Sequence, residues 1–389
     1  MKVLFLSAWY PHRYDAMAGL FVRKHALAVS QYAEVCVLYM QPDENISEIE
    51  VTEETVGNVH EVVVYHPFCP NALLKKVSKA VGFCRAFAQG FEAVKQHYGL
   101  PDVTHVNVLT RCGVLAWWLE KKYHIPYVVT EHWSRYLPQN FSYTGFLRKA
   151  LTKRVLSKAH AVMPVCENLA KAMQRCGLQH GNYQVVPNVV DDCFFQTTHR
   201  VHVAGERFKL LHVSCFDEKS KNVLGTLRAF RQLIEVRKDV TFQMVGTGTG
   251  FEAARNLAEQ LMFPADTISF TGELPPEEVC KAMSQADALV LFSNYENAPV
   301  VVSEALAMGV PVVASRVGGI PEMVVEGSGV LVEPGNEAAL VEGMNRLLDN
   351  YNDYAPTTIQ QHGLRYQFNT VGNTLYYIYR EAIKKQRHN

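Results

Sequence analysis

Short apolar runs alternate along the whole chain with longer stretches whose apolar residues recur at helical spacing. Val3–Ser7, Val35–Tyr39, Val62–Tyr65, Val103–Val106, Tyr127–Thr130, Ala161–Val165 and Val185–Pro187 have the length and composition of buried strands. A second series follows at Lys209–Val213, Val240–Val245, Ile268–Phe270, Ala288–Phe292, Val312–Ala314 and Gly329–Val332. Strands apolar on both faces, separated by helical segments, predict parallel sheets with helices on either side. The fold class is therefore α/β, with two doubly wound Rossmann-like domains facing across a cleft. Asp191–Glu206 is polar and irregular and reads as the linker. That places one domain over residues 1–190 and a second over 191–365. A tyrosine-rich last helix, Gly363–Ile383, is expected to pack back across both domains, with residues 366–389 lying on the first.

The most informative stretch is Ala288–Glu322. A buried strand, Ala288–Phe292, leads into a small polar loop, Ser293–Ala298. Pro299 suits the first turn of a helix, where its missing N–H costs nothing, and the helix continues over Val300–Met308. Gly309–Val310–Pro311 stops it. Two acids flank the helix start, Glu296 and Glu304, with the free N–H groups of the first turn between them. Such an arrangement can hold a sugar, a diphosphate and a ribose in a row; an ordinary α/β unit with two solvated acids fits the spacing equally well.

Elsewhere the pattern raises smaller candidates. Gly19 precedes the helix Leu20–Ser30, and a glycine there lets backbone approach a bound group. Gln41–Glu61 is acidic and polar, a surface loop or hairpin. Glu131–His132–Trp133–Ser134 leaves the carboxyl end of a strand, where His132 can donate a hydrogen bond to an oxyanion or a sugar hydroxyl. Cys166–Glu167–Asn168 caps a helix. Val245–Gly250 reads VGTGTG, which departs from the dinucleotide fingerprint and suits a phosphate- or base-adjacent turn.

Charge changes the picture. The chain is neutral overall, but residues 1–190 carry 20 Lys+Arg against 14 Asp+Glu and the remainder carry 18 against 24. The first-half excess concentrates in two helices. Asn71–Gln96 sets Lys75, Lys76, Lys79 and Arg85 among Leu73, Leu74, Val77, Val81 and Phe83. Phe141–Lys158 sets Arg148, Lys149, Lys153, Arg154 and Lys158 among Phe146, Leu147, Leu151, Val155 and Leu156. Basic amphipathic helices lie on anionic membranes, or simply present a solvated face. Nine cysteines, an odd count without a C-x-x-C pair, argue against a disulfide framework or a zinc site and for reduced thiols in the cytoplasm. The apolar run Val3–Leu6 is too short for a signal peptide, and no run approaches a membrane span.

With two such domains, the motif set resembles the family 4 retaining glycosyltransferases of the GT-B fold, over nearly the whole chain. Its carriers are E-x7-E at Glu296 and Glu304, then Val317–Gly318–Gly319–Ile320–Pro321–Glu322, and the tract Pro187–Asn188–Val189–Val190–Asp191. The resemblance implies a nucleoside diphosphate sugar as co-substrate. Glu304 would hold the ribose and Glu296 the transferred sugar. Asn297, Ala298, Pro299, Val300 and Val301 would line sugar and diphosphate, with Gly19 against the diphosphate. His132 would contact the sugar near the reacting carbon, and Lys221 would neutralise the leaving group. Surface polysaccharide or lipid-linked assembly is the family-level expectation for the acceptor.

Two departures stand out. The family's usual arginine position is Cys215 here, with Lys219 or Arg316 as conceivable substitutes, and the usual E-G-F-G is Glu296–Asn297–Ala298–Pro299. No D-x-D tract is present, so metal-independent transfer with retained configuration is expected. An epimerase of the same architecture, which needs no acceptor, and a binding subunit without catalysis stay open; a dehydrogenase lacks its glycine fingerprint.

Overall fold

In a computed structural model, which describes every residue except Pro70, Ala72, Leu73, Thr110, Val201, His388 and Asn389, the chain builds two sheets. The first holds β1 (Lys2–Ser7), β2 (Glu34–Asp43), β3 (Glu50–Val56), β4 (Val59–Pro67), β5 (Val103–Asn107), β6 (Tyr127–Glu131) and β7 (Val162–Pro164). Their order is β3-β4-β2-β1-β5-β6-β7, all parallel except β3. The second holds β8 (Phe208–Val213), β9 (Val240–Val245), β10 (Ile268–Gly272), β11 (Ala288–Leu291), β12 (Val312–Ser315) and β13 (Gly329–Val332). It is wholly parallel, in the order β10-β9-β8-β11-β12-β13.

The two-residue period of a strand explains why each sheet is buried twice. In β1, Leu4 and Leu6 join one core while Val3 and Phe5 join the other. Helices α1 (Leu20–Val29), α2 (Lys75–Tyr98), α3 (Arg111–Tyr123), α4 (Phe146–Leu156) and α5 (Glu167–Arg175) belong to this half. The final helix, Phe368–Arg387, lies against α1 and puts Val371, Leu375, Ile378 and Tyr379 into the first sheet's core. Its Tyr379 hydroxyl reaches buried His105 Nδ1 at 2.7 Å.

Strand order reverses beside β1 in the first sheet and between β8 and β11 in the second. Loops leaving these strands at their carboxyl ends open a crevice, the usual ligand site of such sheets. Among the described residues, no helix is long and apolar enough to cross a membrane.

Four expectations change. Val185–Pro187 is extended but forms no strand: Val186 N–H reaches Pro164 O at 3.1 Å, and Pro187, lacking an N–H, ends the pairing. The first sheet gains β3 instead, so Gln41–Glu61 resolves into the hairpin; EVTEETV is nearly all exposed and takes its order from pairing with β4. The linker is not irregular throughout, because Cys193–Gln196 is a helical turn with Phe194 buried and His199 is held on Ala286 O at 2.7 Å. The basic helices also begin later than the expected segments Asn71–Gln96 and Phe141–Lys158, at Lys75 and Phe146; Leu73 lies outside the described residues.

Candidate active site

The loops after β8 and β11 meet at the crevice. Lys221 closes a single helical turn, Glu218–Lys221, and its Nζ lies 2.5 Å from Glu296 Oε1. Ser293 donates to the same oxygen at 2.8 Å. The pair is largely buried, with side chains 16% and 10% exposed. Burial pulls the lysine pKa down, but the Glu296 carboxylate more than offsets this and leaves it above the ordinary value. Asn294 ties the loops together, its N–H donating to Ser220 O at 2.8 Å and its amide to Lys219 O at 3.2 Å.

The Gly318–Gly319 pair has a clear physical role here. At φ 54°, Gly318 passes so close to Glu296 that a Cβ would sit 1.7 Å from the Glu296 carbonyl oxygen. Gly319 N–H donates to Asn297 O at 2.8 Å. The G-G-I-P-E tract thus fixes the main chain that carries the first acid. The VGTGTG turn does a similar job one loop away: Phe216 N–H reaches Thr247 O at 2.9 Å, and Gly250 N–H reaches Phe216 O at 2.7 Å. That backbone supports the loop bearing Cys215 and does not line the crevice cavity.

The opposite wall comes from the first domain. Gly19 adopts φ 63° as the N-cap of α1, and a Cβ there would fall 2.4 Å from the Trp9 carbonyl. Its contact is with the protein's own Trp9 loop; Trp9 and, from α1, Phe21 line the crevice cavity. The Phe21 ring lies 4.5 Å from that of His132, whose Nε2 is 3.3 Å from Asn107 Oδ1. Burial, with His25 and His105 nearby, holds the His132 pKa well below the usual imidazole range. The ring is neutral, with one donor and one acceptor nitrogen.

One turn along helix Val300–Met308, Glu304 Oε1 lies 3.9 Å from Lys24 Nζ of α1, and the same ammonium pairs with Asp191 at 2.8 Å. Burial raises Glu304 to about 7, with Lys24 pulling the other way and Asp191 adding to the rise. Lys24 is a participant the sequence pattern hides: it sits on the buried face of a helix, where only a partner in another segment justifies an ammonium.

The domains touch across the crevice through specific atoms. Asn297 donates from Nδ2 to His132 O at 2.6 Å, and Asn188 donates to Ala298 O at 3.1 Å. The Glu322 carboxylate accepts the Glu167 and Asn168 N–H groups at 2.7 Å each, capping α5 from the other domain. Lys219 reaches Asn140 at 3.3 Å, and Arg316 lies beside Glu333 at 3.8 Å on the surface. Neither takes the place of Cys215, which lines the cavity itself.

That cavity measures about 370 Å³. It brings together His132, Lys221, Glu296, Asn297, Ala298 and Val300. Gly19, Pro299, Val301 and Glu304 stand outside it: Pro299 caps the helix, Val301 packs against the second core, and Glu304 lies a turn beyond. A larger cavity of about 610 Å³ adjoins it in the first domain, sharing Trp9 as a wall. Asn107, Trp9 and Arg135 went unmarked in the sequence; all three sit just past or at the carboxyl end of a strand, the one signal available for them.

Two facing doubly wound domains with a crevice between them define the GT-B class of glycosyltransferase folds. Residues 27–193 match the family described as Glycosyltransferase Family 4, and residues 195–360 the one described as Glycosyl transferases group 1; the chain belongs to the family 4 glycosyltransferases. The D-inositol 3-phosphate glycosyltransferase of Corynebacterium urealyticum is 25% identical over 339 residues, 80% of this chain and 76% of that protein. The lipopolysaccharide outer core galactosyltransferase WaaB superposes with a TM-score of 0.71 at 15% identity, over 98% of this chain and 99% of that one. Anabaena HepE in complex with UDP gives 0.70 at 16%, over 98% and 100%. At such identities these structures establish the fold.

Proposed function

We propose that the protein is a retaining, metal-independent glycosyltransferase. It moves a sugar from a nucleoside diphosphate sugar to a saccharide or lipid-linked acceptor in surface polysaccharide assembly, at the cytoplasmic face of a membrane. The observation that carries this reading is the buried Lys221–Glu296 pair, held across the crevice from neutral His132. Residues 191–365 take the donor; residues 1–190, with 366–389 packed on them, face the acceptor.

In this reading the diphosphate takes Lys221 from Glu296. The ammonium and the first N–H groups of helix Val300–Met308 then stabilise the charge that develops on departure. Glu296, released, accepts hydroxyls of the transferred sugar, and His132 donates to a hydroxyl near the reacting carbon. Glu304 accepts the ribose hydroxyls. The sugar carbon loses its bond to the diphosphate oxygen and gains one to the acceptor oxygen on the same face. The acceptor's proton passes to the departing phosphate. Lys221 supplies the positive charge, so no divalent ion is required.

The adjoining 610 Å³ cavity favours transfer over the epimerase reading, because an epimerase has no second substrate to house. Membrane contact draws support from α2 and α4, where Val77, Phe146 and Leu147 face solvent beside Lys76 and Lys149. The deciding experiment is a panel of UDP-, GDP- and ADP-sugars, with binding and slow hydrolysis measured for each. One donor should bind and be hydrolysed with retained configuration and no sensitivity to EDTA. Inverted product or loss of rate in EDTA would overturn the mechanism, and turnover of donor alone to an epimer would favour the rival.

A further inference from the structure

The larger cavity holds an unspent charge. Arg135 is 3% exposed, with its guanidinium carbon 3.1 Å from the centre of the Trp133 ring. Its Nε and Nη1 are buried without a hydrogen-bond partner among the described residues. The nearest carboxylate, Glu131, is already occupied: it accepts the N–H groups of Leu109, His132 and Trp133 and the Tyr136 hydroxyl. Leaving guanidinium donors buried and unpaired is costly, so such a group marks a place where something else supplies the acceptor atoms.

The surroundings say what that is. Arg111 and Arg148 line the same cavity from its exposed rim, and no acidic residue among the described ones lines it. Neither rim arginine forms an ion pair among the described residues. Burial holds the Arg135 pKa below its ordinary value, with Tyr136 and the Glu131 carboxylate opposing the fall and Arg148 adding to it. The loop His132–Arg135 turns His132 toward the smaller cavity and Trp133 and Arg135 toward the larger. A group bound at Arg135 therefore lies next to the place where the donor sugar would sit.

We propose that this cavity binds an anionic group of the acceptor, a phosphate or carboxylate, with Arg135 as its buried fork and Arg111 and Arg148 at the mouth. A guanidinium offers two parallel N–H donors that match either anion. The remaining walls, Trp9, Phe83, Leu151 and Val155, accept the apolar face of a sugar or a lipid chain. The word acceptor rests on the donor reading given above; the anion site stands on this geometry alone.

The test is calorimetric titration of the full chain with hexyl phosphate, hexanoate and inorganic phosphate. The donor crevice is first saturated with whichever nucleoside diphosphate binds. Hexyl phosphate should bind the saturated protein, and Arg135→Gln should weaken it by roughly tenfold or more. Arg135→Lys, keeping charge without the fork, should fall between. Because a buried arginine can matter for folding, the rim double variant Arg111→Gln/Arg148→Gln provides a second reading and should lose several-fold. Nucleotide affinity should hold in every variant.

Vesicles of phosphatidylcholine with phosphatidic acid separate a lipid phosphate from a free one: retention that Arg135→Gln reduces places a lipid phosphate in the cavity. Retention indifferent to Arg135 with no hexyl phosphate binding, displacement of hexyl phosphate by nucleotide, or equal binding by the variants would each overturn the proposal. If no nucleotide binds but hexyl phosphate does, the anion site stands and the donor reading fails instead.

Discussion

The two walls of the crevice handle charge in opposite ways. On the second-domain wall Glu296 is neutralised by Lys221, and Glu304 lies within reach of Lys24, which is itself held by Asp191. On the first-domain wall Arg135 is buried with open donors, and the arginines beside it have no acid to face. A paired site exchanges partners when its ligand arrives and is stable while empty. An unpaired one waits for charge it does not contain. The contrast predicts that mutations on the second-domain wall strand a partner and are severe, whereas the first-domain wall tolerates loss of charge better.

The largest effect should follow Lys221→Ala. It removes the cation proposed for the leaving group and leaves the Glu296 carboxylate buried with only Ser293. Removing one partner of a buried pair typically costs about 3–5 kcal/mol. Turnover should fall on the order of a thousandfold, and Lys221→Ala/Glu296→Gln should recover much of the lost stability but not the rate. Rates and urea midpoints measured together check this; a single variant with near-normal turnover would remove Lys221 from the chemistry.

Gly318→Ala should come next, without touching a charge. Its Cβ meets the Glu296 carbonyl at 1.7 Å, so the acid's main chain must shift. Gly327, at φ 78°, has open space around its own Cβ position, so Gly327→Ala isolates the backbone strain of about 1–2 kcal/mol. Gly318→Ala should cost clearly more in stability and also depress donor binding. Equal melting shifts for the two would mean the close approach is not rigid.

This part of the site was legible before any coordinates. E-x7-E, the G-G-I-P-E tract and Lys221 lie in short segments with local patterns, and β9 and β13 match their apolar runs to the residue. β3 was not, because its seven residues are mostly polar and nearly all exposed and exist as a strand only through β4. Nor was the arginine cavity. Trp9, Phe83, Arg111, Arg135 and Arg148 come from separate segments with no common period, and only burial distinguishes Arg135 from a solvated arginine. Lys24 is hidden for the same reason.

Glu304 gives a smaller effect with a definite sign. Its folded pKa, about 7, exceeds the 4.5 of a free glutamate, so between those values the folded chain keeps a proton the unfolded chain releases. Stability therefore falls as pH rises through that window, by on the order of 3 kcal/mol. Lys24, Asp191 and Cys193 are the ionisable groups around it. Glu304→Gln should flatten that slope in urea titrations at pH 5 and 8. Donor affinity should run the other way, tightening from pH 6 to 8, because a ribose diol donates best to a carboxylate. A donor affinity insensitive to pH would detach Glu304 from the ribose.

The mildest prediction concerns the contact that joins the walls. Cys166 is a weak cap for α5, its sulfur accepting the Leu169 N–H at 3.4 Å, and Glu322 supplies the stronger one from the opposite domain. A carboxylate at a helix N-terminus contributes about 0.5–2 kcal/mol, partly screened by salt. Since its two ends lie on different domains, Glu322→Ala should ease the crevice open as well as weaken the helix. Donor KM should rise roughly fivefold, equivalent to about 1 kcal/mol, with kcat little changed. Glu322→Gln, which keeps one acceptor oxygen, should fall between. A lowered melting temperature with an unchanged KM would show that the cap serves α5 alone and that closure depends on Asn297 and Asn188.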